Sequence, residues 1–141
     1  MIVVDTNVIL AFLITDGVTR KIITSNKDVF MTPEHCFKEV WEHRDKWNRH
    51  KLSDAKLHRI LEKVKKLFIL PVKEGVYKDA LQEASKLICD PDDVPVIALA
   101  ISADNEGIWT YDVKHFDTKK IKERLKILGT KDVLRLYPVE Q

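Results

Sequence analysis

Four carboxylates are the residues of this chain whose types and positions are best suited to chemistry. Each lies near the end of an expected strand or the start of an expected helix, and they are Asp5, Glu39, Asp93 and Asp112. Asp5 follows the apolar residues 2–4, which have the composition of a short buried strand. Asp112 follows a similar segment at 107–109. Ligands of open α/β sheets bind at the carboxyl ends of the strands, so carboxylates placed there can meet a ligand.

The segment around Asp5 allows two interpretations. Thr6 and Asn7 are common helix-capping residues, and the apolar residues after them have helical spacing. Asp5 therefore either caps the helix that follows the first strand or acts as a functional carboxylate at the strand end. The other acids of the chain are needed to distinguish the two.

An acidic segment precedes the apolar stretch 94–104, which is expected to form a buried helix. It contains Asp90, Asp92 and Asp93. One of these acids is expected to cap the helix, because a helix N-terminus favours negative charge. Three carboxylates so close together repel one another unless a cation offsets their charge. The segment is therefore either a solvated acidic loop or part of a cation site.

Glu39 lies in an expected helix over residues 33–48. At about 100° per residue, it lies roughly 130° from the centre of the buried stripe of that helix, and Glu42 lies roughly 170° away. Glu42 is thus expected to face solvent, with Glu39 nearer the sheet. Oxygen ligands suit Mg²⁺ or Mn²⁺, whereas zinc favours His and Cys. The five histidines show no zinc-type spacing.

Alternating strands and helices predict an α/β fold with a mostly parallel sheet covered on both faces. The expected strands are 2–4, 29–31, 68–70, 107–109 and 127–128, and the expected helices after the first are 17–26, 33–48, 54–66, 75–88, 94–104 and a short last one. Pro71 is expected to end the third strand. Thr32 and Thr130 are expected to cap the helices that follow them.

Composition limits the remaining choices. At 141 residues the chain is expected to form one domain spanning residues 1–141, and the net charge of +2 gives no argument for nucleic-acid binding by the whole molecule. No apolar run approaches the roughly 20 residues of a membrane span, and the N-terminus does not resemble a signal peptide. Cys36 and Cys89 lie in apolar surroundings and are expected to be buried thiols. A cytoplasmic protein is therefore expected.

The chain resembles the PIN domain, the metal-dependent ribonuclease fold of many prokaryotic toxins and of RNA-processing enzymes. Four motifs carry the resemblance, and they occur in the family's order. The first is Val4-Asp5-Thr6-Asn7-Val8, and the second is Thr32-Pro33 followed by Glu39. The third is Asp93 followed by Ala98-Leu99-Ala100, and the fourth is Trp109-Thr110-Tyr111-Asp112 leading to Phe116. Each motif alone is weak, but their common order and spacing make the resemblance specific. One departure is His115, where many members carry an acid, so Asp117 is considered as a substitute.

The resemblance implies an α/β/α sandwich of three layers with a central, mostly parallel sheet of four to five strands. It also implies RNA phosphodiester cleavage with one or two Mg²⁺ or Mn²⁺ ions held by Asp5, Glu39, Asp93 and Asp112. Asn7 and Thr110 would orient ligands or bound water, and Asp90 and Asp92 would support the same site. Members of the family often form homodimers, and toxin members pair with an antitoxin protein.

Two basic clusters could contact the phosphates that flank the scissile bond. The first covers residues 44–51 and includes Arg44, and the second contains Lys114, His115, Lys119 and Lys120 close to Asp112. A solvated helix face is the other interpretation of each cluster. Trp41 and Trp47 either stack on RNA bases or belong to the core or a subunit interface.

Two alternatives to a nuclease follow from the same residues. A PIN-like module that binds RNA or a protein partner without cutting is the main one, and intact carboxylates in all four motifs argue against it. An aspartate-nucleophile phosphatase also begins with a strand and an aspartate, but its second aspartate would have to stand at Asn7. That alternative is therefore disfavoured.

Overall fold

Within the part of the chain that the structure describes, the sheet has five parallel strands. The computed structural model describes residues 1–139. The strands are β1 (Ile2–Val4), β2 (Phe30–Pro33), β3 (Ile69–Val72), β4 (Ile108–Trp109) and β5 (Ile127–Leu128). They are ordered β3-β2-β1-β4-β5, and every neighbouring pair is parallel. The predicted α/β fold with a mostly parallel sheet of four to five strands is confirmed.

Helices flank this sheet. They are α1 (Thr6–Ile14), α2 (Val18–Ser25), α3 (Glu34–Glu42), α4 (Arg44–Trp47), α5 (Asp54–Leu67), α6 (Glu74–Tyr77), α7 (Leu81–Ser85), α8 (Val94–Ser102), α9 (Val113–Phe116), α10 (Lys119–Lys122) and α11 (Thr130–Leu136). A single 3-10 turn at Lys78–Ala80 joins α6 to α7. Helix α1 packs on both α2 and α3, and α6 and α7 pack on α8.

The strand order places a topological switch point between β1 and β4. From β1 the chain builds outward through β2 to the edge strand β3, and it then returns to place β4 on the other side of β1. Val4 and Trp109, the last residues of β1 and β4, are direct partners in the ladder. Ligand sites in open α/β sheets form at such a point, beyond the carboxyl ends of the strands.

The core is centred on β1 and α8. All three side chains of β1 are fully buried, and so is the middle of α8 from Val96 to Ala100. The apolar residues around every side of α8 explain why it was expected to be buried, since no face of it favours water. Trp109 is also fully buried, and its indole Nε1 donates to Thr130 Oγ1 at 3.2 Å.

Three expectations about element ends were wrong. β3 continues through Pro71 to Val72, because an edge strand tolerates the missing N–H of proline. Thr32 does not cap α3: it lies in β2, and its Oγ1 donates to Val4 O at 2.8 Å, which links β2 to β1. The residue that precedes α11 is Gly129, so Thr130 begins that helix rather than capping it.

Two expected long helices are interrupted. The helix over 33–48 ends at Glu42, since His43 leaves helical geometry with φ −104° and ψ 22°. The indole of Trp47 then donates to Val40 O at 2.7 Å and satisfies a carbonyl near the end of α3. The helix over 75–88 is divided at Tyr77, where φ is −113° and ψ is 2°.

The two cysteines differ in exposure. Cys36 is buried in α3 as expected, but Cys89 is exposed, so the expectation of two buried thiols was wrong for the second. Burial raises the pKa of the Cys36 thiol to about 12. A separate finding concerns membranes: within residues 1–139, every helix is too short or too polar to cross a bilayer.

Candidate metal centre

An acidic cleft opens beyond the carboxyl ends of the central strands. Its volume is about 380 Å³. Six of the predicted site residues line it, and they are Asp5, Asn7, Glu39, Asp90, Asp92 and Asp93. They come from the start of α1, from α3 and from the segment before α8, so the fold joins three distant parts of the sequence in one place.

Asp5 is positioned by two hydrogen bonds. Its Oδ1 accepts from the backbone N of Val8 at 3.1 Å, which makes Asp5 the cap of α1, and its Oδ2 accepts from Thr110 Oγ1 at 2.6 Å. The residue is only 3% exposed. Asp5 therefore caps the helix and also lines the cleft, and its role as a functional carboxylate stays a prediction. Burial raises the pKa of its carboxyl group, and the negative charge of Asp112 acts in the same direction.

Glu39 faces the same cleft from α3. Its Oε1 accepts from Thr6 Oγ1 at 2.9 Å, and its side chain is only 15% exposed. Burial raises the pKa of Glu39, the hydrogen bond from Thr6 lowers it, and the charge of Asp92 raises it further. The weak preference of the helical wheel for Glu39 over the exposed Glu42 agrees with this placement.

Asp93 stands directly before α8 but makes no capping bond with its side chain. Its Oδ2 instead lies 3.0 Å from Nδ1 of His115. Burial and the negative charge of Asp90 raise the pKa of Asp93 to about 6, against the opposing effect of His115. A carboxyl group with this pKa loses its proton readily when a cation binds nearby.

Asp112 lies beside the cleft, at the end of β4. The same His115 Nδ1 that contacts Asp93 is 3.7 Å from Asp112 Oδ2. The backbone N of Asp112 donates to Thr110 Oγ1 at 3.0 Å. Its side chain is half exposed, in contrast to the enclosed Asp5. His115 therefore connects Asp93 to Asp112.

Other predicted residues lie outside the cleft. Asp117 is paired with Lys122 and lines a separate pocket, so the structure does not bring it to the other acids. Lys120 lines a pocket of about 270 Å³ together with His115. Lys114 and Lys119 are exposed in α9 and α10.

Arg44 is also away from the acids. Its Nε donates to Asp54 at 2.9 Å, and its guanidinium lies 4.3 Å from the centre of the Trp41 ring. Its neighbours Lys46, in the same basic cluster, and Trp47, a candidate for base stacking, do line the cleft.

His35 and Thr6 are the site residues that the sequence reasoning missed. His35 Nε2 lies 3.2 Å from Asp92 Oδ1 and 3.6 Å from Glu39 Oε1. Its position four residues before Glu39, on the same helix face, was the available signal. Thr6 was identified as a capping residue only, and its contact with Glu39 depends on the packing of α1 against α3.

The donor groups of the cleft fit a divalent cation such as Mg²⁺ or Mn²⁺. They are carboxylate oxygens, which hard cations prefer. Burial, and to a smaller extent repulsion from neighbouring carboxylates, raise the pKa of Asp5, Glu39 and Asp93, so uncompensated negative charge is disfavoured in the cleft. A bound cation would offset that charge.

Comparison with known proteins agrees with this geometry. The sequence model of the PIN domain matches residues 3–128. The chain belongs to the PIN domain family. PIN domains are generally nucleases and typically use divalent metal ions, with RNA as the general substrate. A search of curated proteins found no match to this chain.

Proposed function

We propose that this PIN domain is a Mg²⁺- or Mn²⁺-dependent endoribonuclease that hydrolyses phosphodiester bonds of single-stranded or structured RNA. The observation that carries the proposal is the common cleft of Asp5, Glu39 and Asp93, with Asp112 joined to its edge through His115. Three carboxylates from three segments line this cleft and Asp112 lies beside it, and a merely solvated acidic loop would not require that arrangement.

Asp5, Glu39, Asp93 and Asp112 would hold the cation or cations. When bound, a divalent cation neutralises a phosphate oxygen and lowers the pKa of a bound water molecule. The protein contributes orientation: the hydroxyl of Thr110 fixes the carboxylate of Asp5, and the hydroxyl of Thr6 fixes Glu39. Asn7 lies in the same cleft, where its amide can bind water or RNA.

His115 can hold a proton at Nδ1 between Asp93 and Asp112. His115 then directs this N–H towards Asp93 and Asp112, which offsets part of the charge of both carboxylates. Its ring also borders the neighbouring pocket that contains Lys120. Lys120 would thus supply positive charge to a phosphate that lies next to the scissile bond and just outside the acidic cleft.

The remaining basic residues differ in their suitability for RNA. Lys114 and Lys119 are exposed near Asp112 and are free to approach phosphates. Lys46 extends into the cleft from the side of α4, and Trp47 beside it offers a half-buried ring for base stacking. Arg44 would have to exchange Asp54 for a phosphate.

The direct test is cleavage of a single-stranded RNA by the full chain with Mn²⁺ or Mg²⁺. We expect cleavage that requires the cation and that Asp5→Asn abolishes, because an amide cannot supply the negative charge. Asp16→Asn is the matched control, since Asp16 is an exposed acid that pairs with Arg20 at 3.9 Å and does not line the cleft. Wild-type protein that binds RNA but leaves it intact with either cation would instead identify a silent binding module.

The biological setting is a separate part of the proposal. A toxin would act with an antitoxin protein, whereas an RNA-processing enzyme would not, and a homodimer is proposed in both cases from the family resemblance. A small antitoxin-like gene next to this one would support the toxin. Light scattering of the purified protein measures the oligomeric state.

A further inference from the structure

A cluster of three side chains of metal-ligating types lies at one edge of the acidic cleft, here called the outer position, where Glu39 and Asp92 line the cleft and His35 does not. It consists of His35, Glu39 and Asp92, and one ligand atom from each residue lies within 4.8 Å of the others. Ligands that share a cation at about 2.1 Å lie roughly 3 to 4 Å apart. The two measured distances from His35 Nε2, 3.2 Å to Asp92 Oδ1 and 3.6 Å to Glu39 Oε1, fall in this range.

The fold holds these three groups in place from two sides. His35 and Glu39 are one turn apart on α3, so their side chains share a face. Asp92 comes from the segment before α8, where its backbone N donates to Asp90 Oδ1 at 3.0 Å. Thr6 Oγ1 donates to the same Oε1 of Glu39 that faces His35, which holds that oxygen in position.

The chemistry of this cluster differs from that of the inner acids. An imidazole nitrogen suits Zn²⁺ and other transition metals, whereas Mg²⁺ prefers oxygen ligands only. We propose that His35, Glu39 and Asp92 form a cation position that takes a transition metal such as Zn²⁺ in preference to Mg²⁺. The inference deepens the proposed function, because Glu39 is shared with the proposed RNA-cleaving centre and the metal there governs its cation preference.

The simpler interpretation is an ion pair between His35 and Asp92 that ties α3 to the segment before α8. The two interpretations differ in a measurable way. If His35 and Asp92 form only an ion pair, replacing His35 changes folding stability and does not distinguish Zn²⁺ from Mg²⁺. If the cluster is a cation position, replacing His35 removes a nitrogen ligand and weakens Zn²⁺ binding selectively.

The test is calorimetric titration of the metal-free full chain with ZnCl₂ and, separately, with MgCl₂, in the absence of RNA. For His35→Asn we expect the Zn²⁺ affinity to fall at least about tenfold, while the Mg²⁺ affinity stays within about twofold. His50→Asn is the matched control, since His50 is exposed in the loop between α4 and α5. Thermal melting of each variant verifies that it folds.

A second variant and a spectroscopic measurement make the result independent of one substitution. Asp92→Asn should also weaken Zn²⁺ binding, since it removes the charge of a different ligand. In protein with ¹⁵N-labelled histidines, Zn²⁺ should shift the Nε2 signal of His35. An unchanged Zn²⁺ affinity in both variants, an equal loss for Zn²⁺ and Mg²⁺, or an unshifted His35 signal would overturn the inference.

The two proposals fail in different ways. Asp5 and Asp93 are not ligands of the outer position, so Asp5→Asn should leave the Zn²⁺-induced shift of His35 intact. If the protein binds Zn²⁺ through His35 but never cleaves RNA, the nuclease proposal fails and the cation position stands. If it cleaves RNA and the His35 signal ignores Zn²⁺, the cation position fails and the nuclease stands.

Discussion

Thr110 Oγ1 donates a 2.6 Å hydrogen bond to Asp5 Oδ2, which joins two residues 105 positions apart in the sequence. The same hydroxyl accepts from the backbone N of Asp112 at 3.0 Å. A threonine hydroxyl has one proton to donate and lone pairs to accept, so it can serve both neighbours at once. One buried side chain thus connects the aspartates that follow β1 and β4.

Replacing Thr110 with valine should therefore affect both stability and metal binding. Thr110→Val leaves the shape similar but removes the hydrogen bond to Asp5, and we expect a loss of about 1–2 kcal/mol in the free energy of unfolding. The hydrogen bond from Thr110 lowers the pKa of Asp5, so the variant should also bind Mn²⁺ more weakly. Denaturant unfolding and calorimetry measure the two effects. Thr110→Ser retains the hydroxyl and should lie closer to wild type, whereas equal defects in both variants would contradict this role.

Metal affinity should depend on pH through Asp93. Its pKa is raised to about 6, so its proton competes with a cation in mildly acidic solution. As the pH falls below about 6, we expect the affinity for Mn²⁺ to fall by up to about tenfold per pH unit for this one proton. Calorimetric titrations at a series of pH values measure the slope. Affinity that stays constant from neutral pH to pH 5 would refute the assignment.

The metal-free protein should show the opposite trend in stability. Because the folded state raises the pKa of Asp93 from 3.8 to about 6, it binds that proton more tightly than the unfolded chain does. The resulting stabilisation is present below pH 3.8 and is lost as the pH rises through about 6. Thermal melting without metal should show this decline between pH 4 and 7, with a smaller decline for Asp93→Asn. Saturating Mg²⁺ should restore stability at neutral pH.

Gly107 should be sensitive to substitution because of its backbone and its neighbours. Its φ is +145°, and a Cβ there would lie 2.8 Å from both Leu128 Cγ and the carbonyl of Lys126. Gly107→Ala should therefore cost about 2 kcal/mol or more in the free energy of unfolding. Gly75→Ala is the control: in α6, nothing lies within 4 Å of the added Cβ, and a gain of up to about 1 kcal/mol is expected. Similar stability for both variants would contradict the packing of β4 against β5.

RNA binding should depend on Lys120 more than on a lysine at the opposite edge of the sheet. Lys120 shares a pocket with His115, which contacts Asp93, whereas the exposed Lys66 lies at the end of α5 beside β3. Lys120→Gln should weaken binding of single-stranded RNA several-fold and reduce the salt dependence by about one counterion. Fluorescence anisotropy at several salt concentrations measures this. If Lys66→Gln has the same effect, the contact is non-specific.

The local elements could be predicted from the sequence because their signals are local. The segments 2–4 and 127–128 were expected as strands and are strands, and the expected helix 54–66 corresponds to Asp54–Leu67. Apolar periodicity and capping residues depend on backbone geometry within a few positions. The predicted ends of β3 and α3 were wrong because local information is insufficient there. The edge position of β3 lets that strand continue through Pro71. Helix α3 ends before His43, where the indole of Trp47 contacts Val40 O.

The candidate site could be predicted only as a set of residue types. The acids at the ends of β1 and β4 were identified from their positions, and their roles as metal ligands stay predictions. Sequence spacing could not show that Asp117 pairs with Lys122 away from the other acids. Nor could it show that His35 lies next to Asp92.

The sequence by itself determined which segments are strands or helices and where acids follow them. Only the tertiary structure decided that β1 and β4 are neighbours, that Thr110 therefore reaches Asp5, and that α3 faces the segment before α8. The physical reason is that strand order depends on backbone hydrogen bonds and burial between distant parts of the chain. No local periodicity encodes which of several buried strands will pair.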